Sequence, residues 1–450
     1  MTNFRVGFAQ VNINPPLGIG IEGYYVPRFA KGFLDDLQIA ALAVACGGKT
    51  ILLMSADHIG FGDLFVPYRS SIAAAVGIPA ENVYLACTHT HTAPSVVPGF
   101  GFEADPEPIH KYAEFVESRL KDLAVLAVAD LQNAKMGYIT GTAPERVAYI
   151  RRYRMKDGST WTCPPIDDPN IDYPLGELDQ RVHVLRFDQE NGQSVVLYNY
   201  GLHADTIGGE LISADWPAWT RKTLEKALDG VKCIYFPGAQ GDVGSTNVHP
   251  AGGDMNDTEI SFDNEMKSPG MARFVGRALA GTILQVYDKV HYVAIDEINI
   301  LHKMVKVASN RPKPEDMPRA RLYKQLHDEG RDAEIPFTGM ELTTVVAEAT
   351  RMCDLENGPD WFTLELTGVR LGNIAMIGLP GEPFTDIGVQ IKDTAGWDMI
   401  MPCCIVNGYS GYFPTKSAYD EGGYESRSSP YQSDVAEILV KGAKNLMEQL

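Results

Sequence analysis

The chain has 450 residues, of which 45% are hydrophobic and 22% are charged, a composition typical of a folded globular protein. Its net charge of -19 argues against nucleic acid and anionic membrane surfaces as partners, because both would repel it. No apolar run reaches the roughly 18 residues of a membrane helix, and the first residues do not resemble a secretory signal. Seven scattered cysteines without a CxxC pair are typical of reduced thiols, so we expect a cytoplasmic protein with no integral membrane segment.

Short apolar runs rich in β-branched or aromatic residues predict strands along the whole chain. The clearest are Thr50–Ser55, Asn82–Cys87, Ser194–Tyr198, Lys232–Phe236 and Asn373–Gly378.

Apolar residues recur at helical spacing between these runs. The spacing predicts helices over Pro108–Leu131, Pro269–Tyr287, Phe384–Lys392 and Ser433–Leu450. The charged, proline-bearing segment Pro312–Gly339 predicts a surface helix with flanking loops. Alternation of strands and helices favours an α/β fold. Because no repeat or flexible linker interrupts the chain, we expect residues 1–450 to form one domain.

Polar or glycine-rich turns directly follow four of the predicted strands. The first holds His89 and His91, the second His203, the third the run Gly238–Gly244, and the fourth Glu382 in a Pro-Gly-Glu sequence. In open α/β sheets, ligands bind beyond the carboxyl ends of strands. We therefore expect the four turns to meet at one crevice.

The histidines and Glu382 have both structural and functional interpretations. His89 and His91 lie two residues apart on one side of an extended segment, so they could share a metal, divide metal and substrate between them, or be polar turn residues. A lone histidine such as His203 is often structural, and the dipole of the following helix could hold Glu382. Together, these residues fit a catalytic zinc site with about three protein ligands and a position for water. The sequence contains no HExxH or GxSxG motif, which argues against zincins and serine α/β-hydrolases.

Two glycine-rich segments need separate interpretation. Gly238–Gly244 predicts either backbone N–H groups directed at a substrate oxyanion or a tight turn that requires positive φ. Gly18–Gly23 matches GxGxxG, but Pro15 and Pro16 precede it and Tyr24–Pro27 follows it where a helix should begin. This context argues against a dinucleotide site.

These ordered motifs resemble the neutral/alkaline, non-lysosomal ceramidase family and its shorter bacterial members, over nearly the whole chain from Val6–Gly18 to the tyrosines near residue 425. The resemblance implies an α/β fold of mixed β-sheets packed between helices, with a metal cleft at the C-terminal ends of strands. It also implies four zinc ligands: His89, His203, Glu382 and Tyr412. It places His91, Arg151 and Tyr424 beside the substrate, and His91 is a candidate general base because imidazole titrates near neutrality.

Three features depart from the family pattern. The family's Gly-Asp-x-Ser-Pro-Asn motif corresponds to Gly241–Asn247, where Gly244 occupies the position of the active-site serine. Ser245, displaced by one residue, is the candidate replacement. Ser426 stands where the family has glycine after Tyr-Glu, and the sequence shows neither the C-terminal β-sandwich domain nor the signal sequence of secreted members. We therefore expect zinc chemistry to be retained and ceramide to be a less suitable substrate.

The sequence thus predicts a zinc-dependent hydrolase that uses a metal-activated water to cleave the amide bond of a small N-acyl substrate. Two alternatives stay open: a zinc-dependent esterase or other hydrolase of a small soluble substrate, and a metal-stabilised binding protein without catalysis. The sequence does not define the oligomeric state.

Overall fold

The structure is a computed structural model, and it describes residues 4–97, 106–249 and 267–450. In these ranges the α-helices are α1 Phe65–Val76, α2 Glu107–Ala129, α3 Asp215–Ala227, α4 Pro269–Val286, α5 Met317–Asp328, α6 Gly339–Glu356, α7 Thr385–Lys392, α8 Lys416–Glu421, α9 Tyr424–Ser428 and α10 Val435–Met447. The strands are β1 Arg5–Asn12, β2 Gly32–Phe33, β3 Gln38–Cys46, β4 Lys49–Ala56, β5 Val83–Cys87, β6 Gln132–Thr142, β7 Tyr149–Ile150, β8 Arg152–Met155, β9 Thr160–Thr162, β10 Ile171–Pro174, β11 Arg181–Gln189, β12 Ser194–Tyr200, β13 Leu211–Ile212, β14 Val231–Pro237, β15 Val243–Gly244, β16 His291–Val293, β17 Ile298–Ala308, β18 Trp361–Leu371, β19 Ile374–Gly378, β20 Glu382–Pro383, β21 Met399–Cys403 and β22 Tyr412–Phe413.

The larger sheet has nine strands in the order β14-β12-β11-β6-β1-β3-β4-β5, with β16 paired to β6. It is mixed, because β12 pairs with β14 and β4 pairs with β5 in parallel while its other pairs are antiparallel. Among the described residues, the strand pairing that joins the two halves of the sheet is the two-residue register of β1 with β6, at Arg5–Asn133 and Val6–Gln132. The sheet therefore consists of two halves with long strand pairings, and these halves meet at a short junction.

A second, four-stranded sheet has the order β17-β18-β19-β21. Its β19 and β21 are parallel, and its other pairs are antiparallel. Shorter pairings complete the fold, among them the parallel pair of β20 with β22.

Both sheets contribute to one inner apolar core. Alternate residues of each strand point to that core, among them Leu53, Leu197 and Met376. The intervening residues face outward, where α1 and α2, α3 and α4, and α7 and α10 cover three separate surfaces. This period-two division of side chains builds mixed β-sheets packed between helices, and the fold class predicted from the sequence is confirmed.

The five predicted strands correspond to β4, β5, β12, β14 and β19. Predicted helices correspond to α2, α4, α7 and α10, and the charged segment forms α5. Within the described ranges, no helix is both long and apolar enough to cross a bilayer. The carboxyl ends of β5, β12, β14 and β19 lead into the four turns singled out in the sequence, so the fold places these turns where a site can form.

Candidate metal centre

His89 follows β5 in a left-handed conformation, with φ of 66°. Its backbone N–H donates to the carbonyl of His58 at 2.8 Å, and its Nδ1 lies 2.9 Å from the carbonyl of Ile59. A carbonyl oxygen can only accept, so Nδ1 carries the proton and the Nε2 lone pair points to the opposite side.

His203 follows β12 and is held in the same way. Its Nδ1 lies 2.8 Å from the carbonyl of Gln240 and 3.0 Å from that of Val243. The indole N–H of Trp216 donates to the carbonyl of His203 at 3.0 Å, which fixes the backbone from the side of α3. The Nε2 lone pair of His203 is therefore also directed away from the backbone.

His91 completes the group, because its Nδ1 lies 3.1 Å from the carbonyl of Gly23 and its Nε2 lies 3.3 Å from Nε2 of His89. One nitrogen from each of His89, His91 and His203 lies within 4.8 Å of the other two. The three buried imidazoles thus form a group that could bind a metal ion.

Glu382 brings a carboxylate to this group from the second sheet. It is 1% exposed, like His89 and His203, and its Oε2 lies 3.2 Å from Nε2 of His89 and 2.8 Å from Nε2 of His203. This Oε2 has no hydrogen-bond donor among the described residues. The parallel pairing of β20 with β22 sets Glu382 opposite Tyr412.

Burial and charge act together on the ionisable groups of the centre. Burial lowers the pKa of His91 well below its usual range, and burial together with Arg151 lowers the pKa of His203. Burial also opposes protonation of His89, but the carboxylate of Glu382 outweighs it and raises the pKa of His89. Although burial alone would raise it, the histidines hold the pKa of Glu382 well below its usual range. A positive charge is therefore most favoured between His89 and Glu382.

Arg151 lies at the border between the imidazoles and the tyrosines. Its Nη1 is 3.5 Å from Nε2 of His203, and its guanidinium carbon lies 5.4 Å from the centre of the Tyr412 ring. Glu425 anchors it by accepting from Nε at 2.7 Å, and the carbonyl of Gly241 accepts from Nη2 at 2.8 Å. The buried carboxylate and carbonyl leave Nη1 directed at the centre.

A cavity of about 840 Å³ opens beside the imidazoles. Its wall includes the six predicted site residues other than His89 and Glu382, namely His91, Arg151, His203, Ser245, Tyr412 and Tyr424. The Tyr412 and Tyr424 rings are 5.5 Å apart. The far wall comes from α6 and the segment before it, with Met340, Leu342 and Val346 as apolar members. The structure thus brings all eight predicted residues to the metal centre or the adjoining cavity.

The backbone of the run Gly238–Gly244 contradicts a tight turn with positive φ, whereas N–H groups directed at an oxyanion are excluded only at Gly238 and Gly241. Gly238, Gly241 and Gly244 are absent from the positions with positive φ. The N–H of Gly238 donates to Tyr200 and that of Gly241 to Pro383, both at 2.9 Å, so these two groups are not available to an oxyanion. A Cβ on Gly241 would lie 2.5 Å from the carbonyl oxygen of Glu382, so close approach of backbones requires glycine there.

Several residues of the site were not found by sequence reasoning. Asp205 lines the cavity, accepts from Lys267 Nζ at 2.5 Å and from the hydroxyl of Tyr24, and lies 3.7 Å from Nδ1 of His91. The hydroxyl of Tyr409 is 3.5 Å from Oε1 of Glu382. Asp205 stands two residues after His203 in the same turn, which was the available signal, whereas Lys267 and Tyr24 lie in segments without a comparable motif.

No protein-family model and no curated protein sequence matches the chain. Solved structures do match. A neutral ceramidase from Pseudomonas aeruginosa superposes with a TM-score of 0.72 at 18% identity, over 100% of this chain and 75% of that one. A ceramidase complexed with C2 gives a TM-score of 0.72 at 17% identity, over 100% and 76%. The resemblance inferred from the motifs is confirmed at the level of the fold: this chain has the neutral ceramidase fold along its whole length.

Proposed function

We propose that the protein is a zinc-dependent hydrolase that cleaves the amide bond of an N-acyl substrate. The observation that carries the proposal is the convergence of imidazole nitrogens and the Glu382 carboxylate on one buried point. Nε2 of His203 and Oε2 of Glu382 are 2.8 Å apart although the His203 proton lies on Nδ1. Two lone pairs at this distance repel each other unless a cation lies between them.

The donor set fits zinc. Two nitrogens bound at about 2.0–2.1 Å to one tetrahedral zinc ion lie about 3.3 Å apart, and the Nε2 atoms of His89 and His91 are 3.3 Å apart. Zinc sites commonly combine imidazole and carboxylate ligands. In each imidazole ligand, the ring N–H that does not face the metal is commonly fixed by a backbone carbonyl or a carboxylate. We therefore assign His89, His203 and Glu382 as ligands.

Two residues compete for the fourth ligand position. The family resemblance favours Tyr412, which lies beside Glu382 in the β20–β22 pair. The distance between nitrogens favours His91. Zinc affinity distinguishes them: Tyr412→Phe and His91→Asn remove one donor each, and the variant that loses affinity by at least about 10-fold identifies the ligand.

When bound, zinc would polarise the scissile carbonyl and lower the pKa of a water molecule. Arg151 would then stabilise the negative charge that develops on the carbonyl oxygen, because its Nη1 is held at the centre by Glu425. Tyr412 and Tyr424 present phenols to the same cavity and would orient the amide. His91 is the candidate proton acceptor if it is not a ligand.

An N-acyl amide is proposed as substrate because two solved structures similar to this chain are ceramidases. The cavity offers Met340, Leu342 and Val346 to an acyl chain. Ser245 is 5% exposed and lines the cavity, so it is the candidate for the role of the serine missing at Gly244.

The test is a hydrolysis panel with one acyl chain presented as a simple N-acyl amide, as an ester and as ceramide. Each rate is measured before chelation, after chelation and after zinc is restored. His203→Asn removes a ligand, and His183→Asn is the matched control, because His183 is also a buried histidine but bonds Thr140 on β6.

The proposal predicts amide hydrolysis that chelation abolishes, that zinc restores, and that falls by at least about 100-fold in His203→Asn but not in the control. Hydrolysis of the ester alone would support the esterase alternative. Bound zinc with no hydrolysis of any substrate would support the binding-protein alternative, and hydrolysis indifferent to chelation would reject the zinc assignment.

A further inference from the structure

The side of His91 that faces away from the metal centre is covered by the segment that contains the GxGxxG match. The carbonyl of Gly20 accepts from the N–H of Ser95 at 3.2 Å, and the N–H of Glu22 donates to the carbonyl of Ala93 at 3.1 Å. The segment therefore runs beside the chain that follows His91, and it brings Gly23 to the imidazole.

Gly23 provides the carbonyl that fixes the tautomer of His91. The carbonyl oxygen lies 3.1 Å from Nδ1. The residue has φ of +118°, and a Cβ on it would lie 2.9 Å from Nδ1 and 3.1 Å from Cα of His91. Both the backbone conformation and the close approach require glycine here.

Arg28 joins this segment to the backbone of His91. Its Nη2 donates to the carbonyls of Glu22 at 2.6 Å and His91 at 2.8 Å, and its Nη1 donates to Gly209 at 3.0 Å. The guanidinium carbon lies 4.0 Å from the centre of the Tyr24 ring. One side chain, 6% exposed, thus fixes both residues that flank Gly23 and the carbonyl of His91 itself.

The contacts depend on the shape of a guanidinium. Its planar fork donates to several carbonyls at once and stacks on an aromatic ring, whereas an ammonium group is a compact point charge. Lysine at position 28 would keep the charge but lose this combination of contacts.

We propose that Arg28 is a positioning residue for His91. By holding Glu22 and Tyr24 against the backbone of His91, it keeps the Gly23 carbonyl at hydrogen-bond distance from Nδ1. Nδ1 then keeps its proton, and Nε2 faces His89 whether His91 binds zinc or contacts substrate. The inference rests on the proposed function for the role of His91 but not for its geometry.

The test uses crystal structures of metal-free full-length Arg28→Lys and Arg28→Met, together with kcat on the amide that the panel identifies. Arg370→Lys is the matched control, because Arg370 also donates to two carbonyls, of Gly372 and Leu450, and lies 5.6 Å from the ring centre of Trp397. If Arg28→Met does not fold, Arg28→Lys, which keeps the charge, decides the outcome.

We expect Arg28→Lys to break the bond between His91 and Gly23, to displace the imidazole from His89, and to lower kcat by about 10–100-fold. Arg370→Lys should leave both unchanged. An imidazole in its original place in the Arg28 variants overturns the inference. If the wild-type protein hydrolyses nothing, the proposed function fails, and the metal-free structures still decide the role of Arg28.

Discussion

Glu425 binds Arg151 at the cavity wall, and replacing it tests how much the free energy of unfolding depends on one buried charge. The carboxylate is 0% exposed and accepts from Arg151 at 2.7 Å and from the hydroxyl of Thr162 at 2.8 Å. Nε of Arg152 lies 3.8 Å away. Glu425→Gln keeps the volume but removes the negative charge between two guanidinium groups.

The expected cost follows from the contacts that remain. Removing one partner of a buried ion pair costs about 3–5 kcal/mol, because the other charge is left uncompensated. Arg151 keeps the Gly241 carbonyl, and Arg152 keeps Glu421 at 3.1 Å. We therefore expect Glu425→Gln to lower the free energy of unfolding by about 3 kcal/mol, the low end of this range.

The assay is urea unfolding of metal-free protein, so that zinc does not contribute to the difference. Glu356→Gln is the control, because its partner Arg321 is 59% exposed and such pairs contribute about 0–1 kcal/mol. A Glu425→Gln protein within about 1 kcal/mol of wild type would refute the reasoning, since the two arginines would then be compensated by other groups.

Three further predictions concern backbone packing, pH and metal. A Cβ at Gly201 would lie 2.2 Å from the carbonyl of Ala239, so Gly201→Ala should lose roughly 1–3 kcal/mol in urea unfolding, whereas Gly281→Ala in α4, where nothing lies within 4 Å, should be neutral or gain up to about 1 kcal/mol. Burial raises the pKa of Asp35 to about 6, above its unfolded value, so the folded state binds the extra proton and stability falls as pH rises from about 4 to about 6. Unfolding of Asp35→Asn across this range should lack that decline, and an unchanged pH profile would contradict the assignment; the amide can still accept from Ala214. At a free zinc concentration of about 1,000 times the Kd, bound zinc should add about 4 kcal/mol to the free energy of unfolding. Chelation should therefore lower the Tm, and an unchanged Tm would contradict a tightly bound ion.

Local sequence patterns predicted several buried strands and the helices α2, α4, α7 and α10, but they did not single out the long strands β6, β17 and β18 or the helix α6. The run Thr50–Ser55 lies within β4, and Lys232–Phe236 lies within β14, because a buried strand needs consecutive apolar residues. The two-residue strands β20 and β22 had no such signal. They exist because tertiary packing brings Glu382 beside Tyr412, so no local pattern could predict them.

The site was predictable from the sequence where a residue able to bind a metal lies in a turn that directly follows a predicted strand. His89, His203 and Glu382 met that condition, and the fold brings them together. Arg28 did not meet it, because it lies in an irregular loop. There, no sequence spacing distinguishes an arginine that is buried as a hydrogen-bond donor from one that is exposed to solvent. Its contacts with the carbonyls of Gly209 and His91 depend on how segments far apart in the sequence pack, so no local pattern predicts them.

Anomalous X-ray scattering at the zinc absorption edge, recorded from crystals of the protein with its native metal, tests the central claim most directly. The account predicts one peak in the space enclosed by Nε2 of His89, Nε2 of His203 and Oε2 of Glu382, about 2.0–2.2 Å from each. The absence of an anomalous peak at that point, both in these crystals and in crystals of protein exposed to excess zinc, would contradict the account.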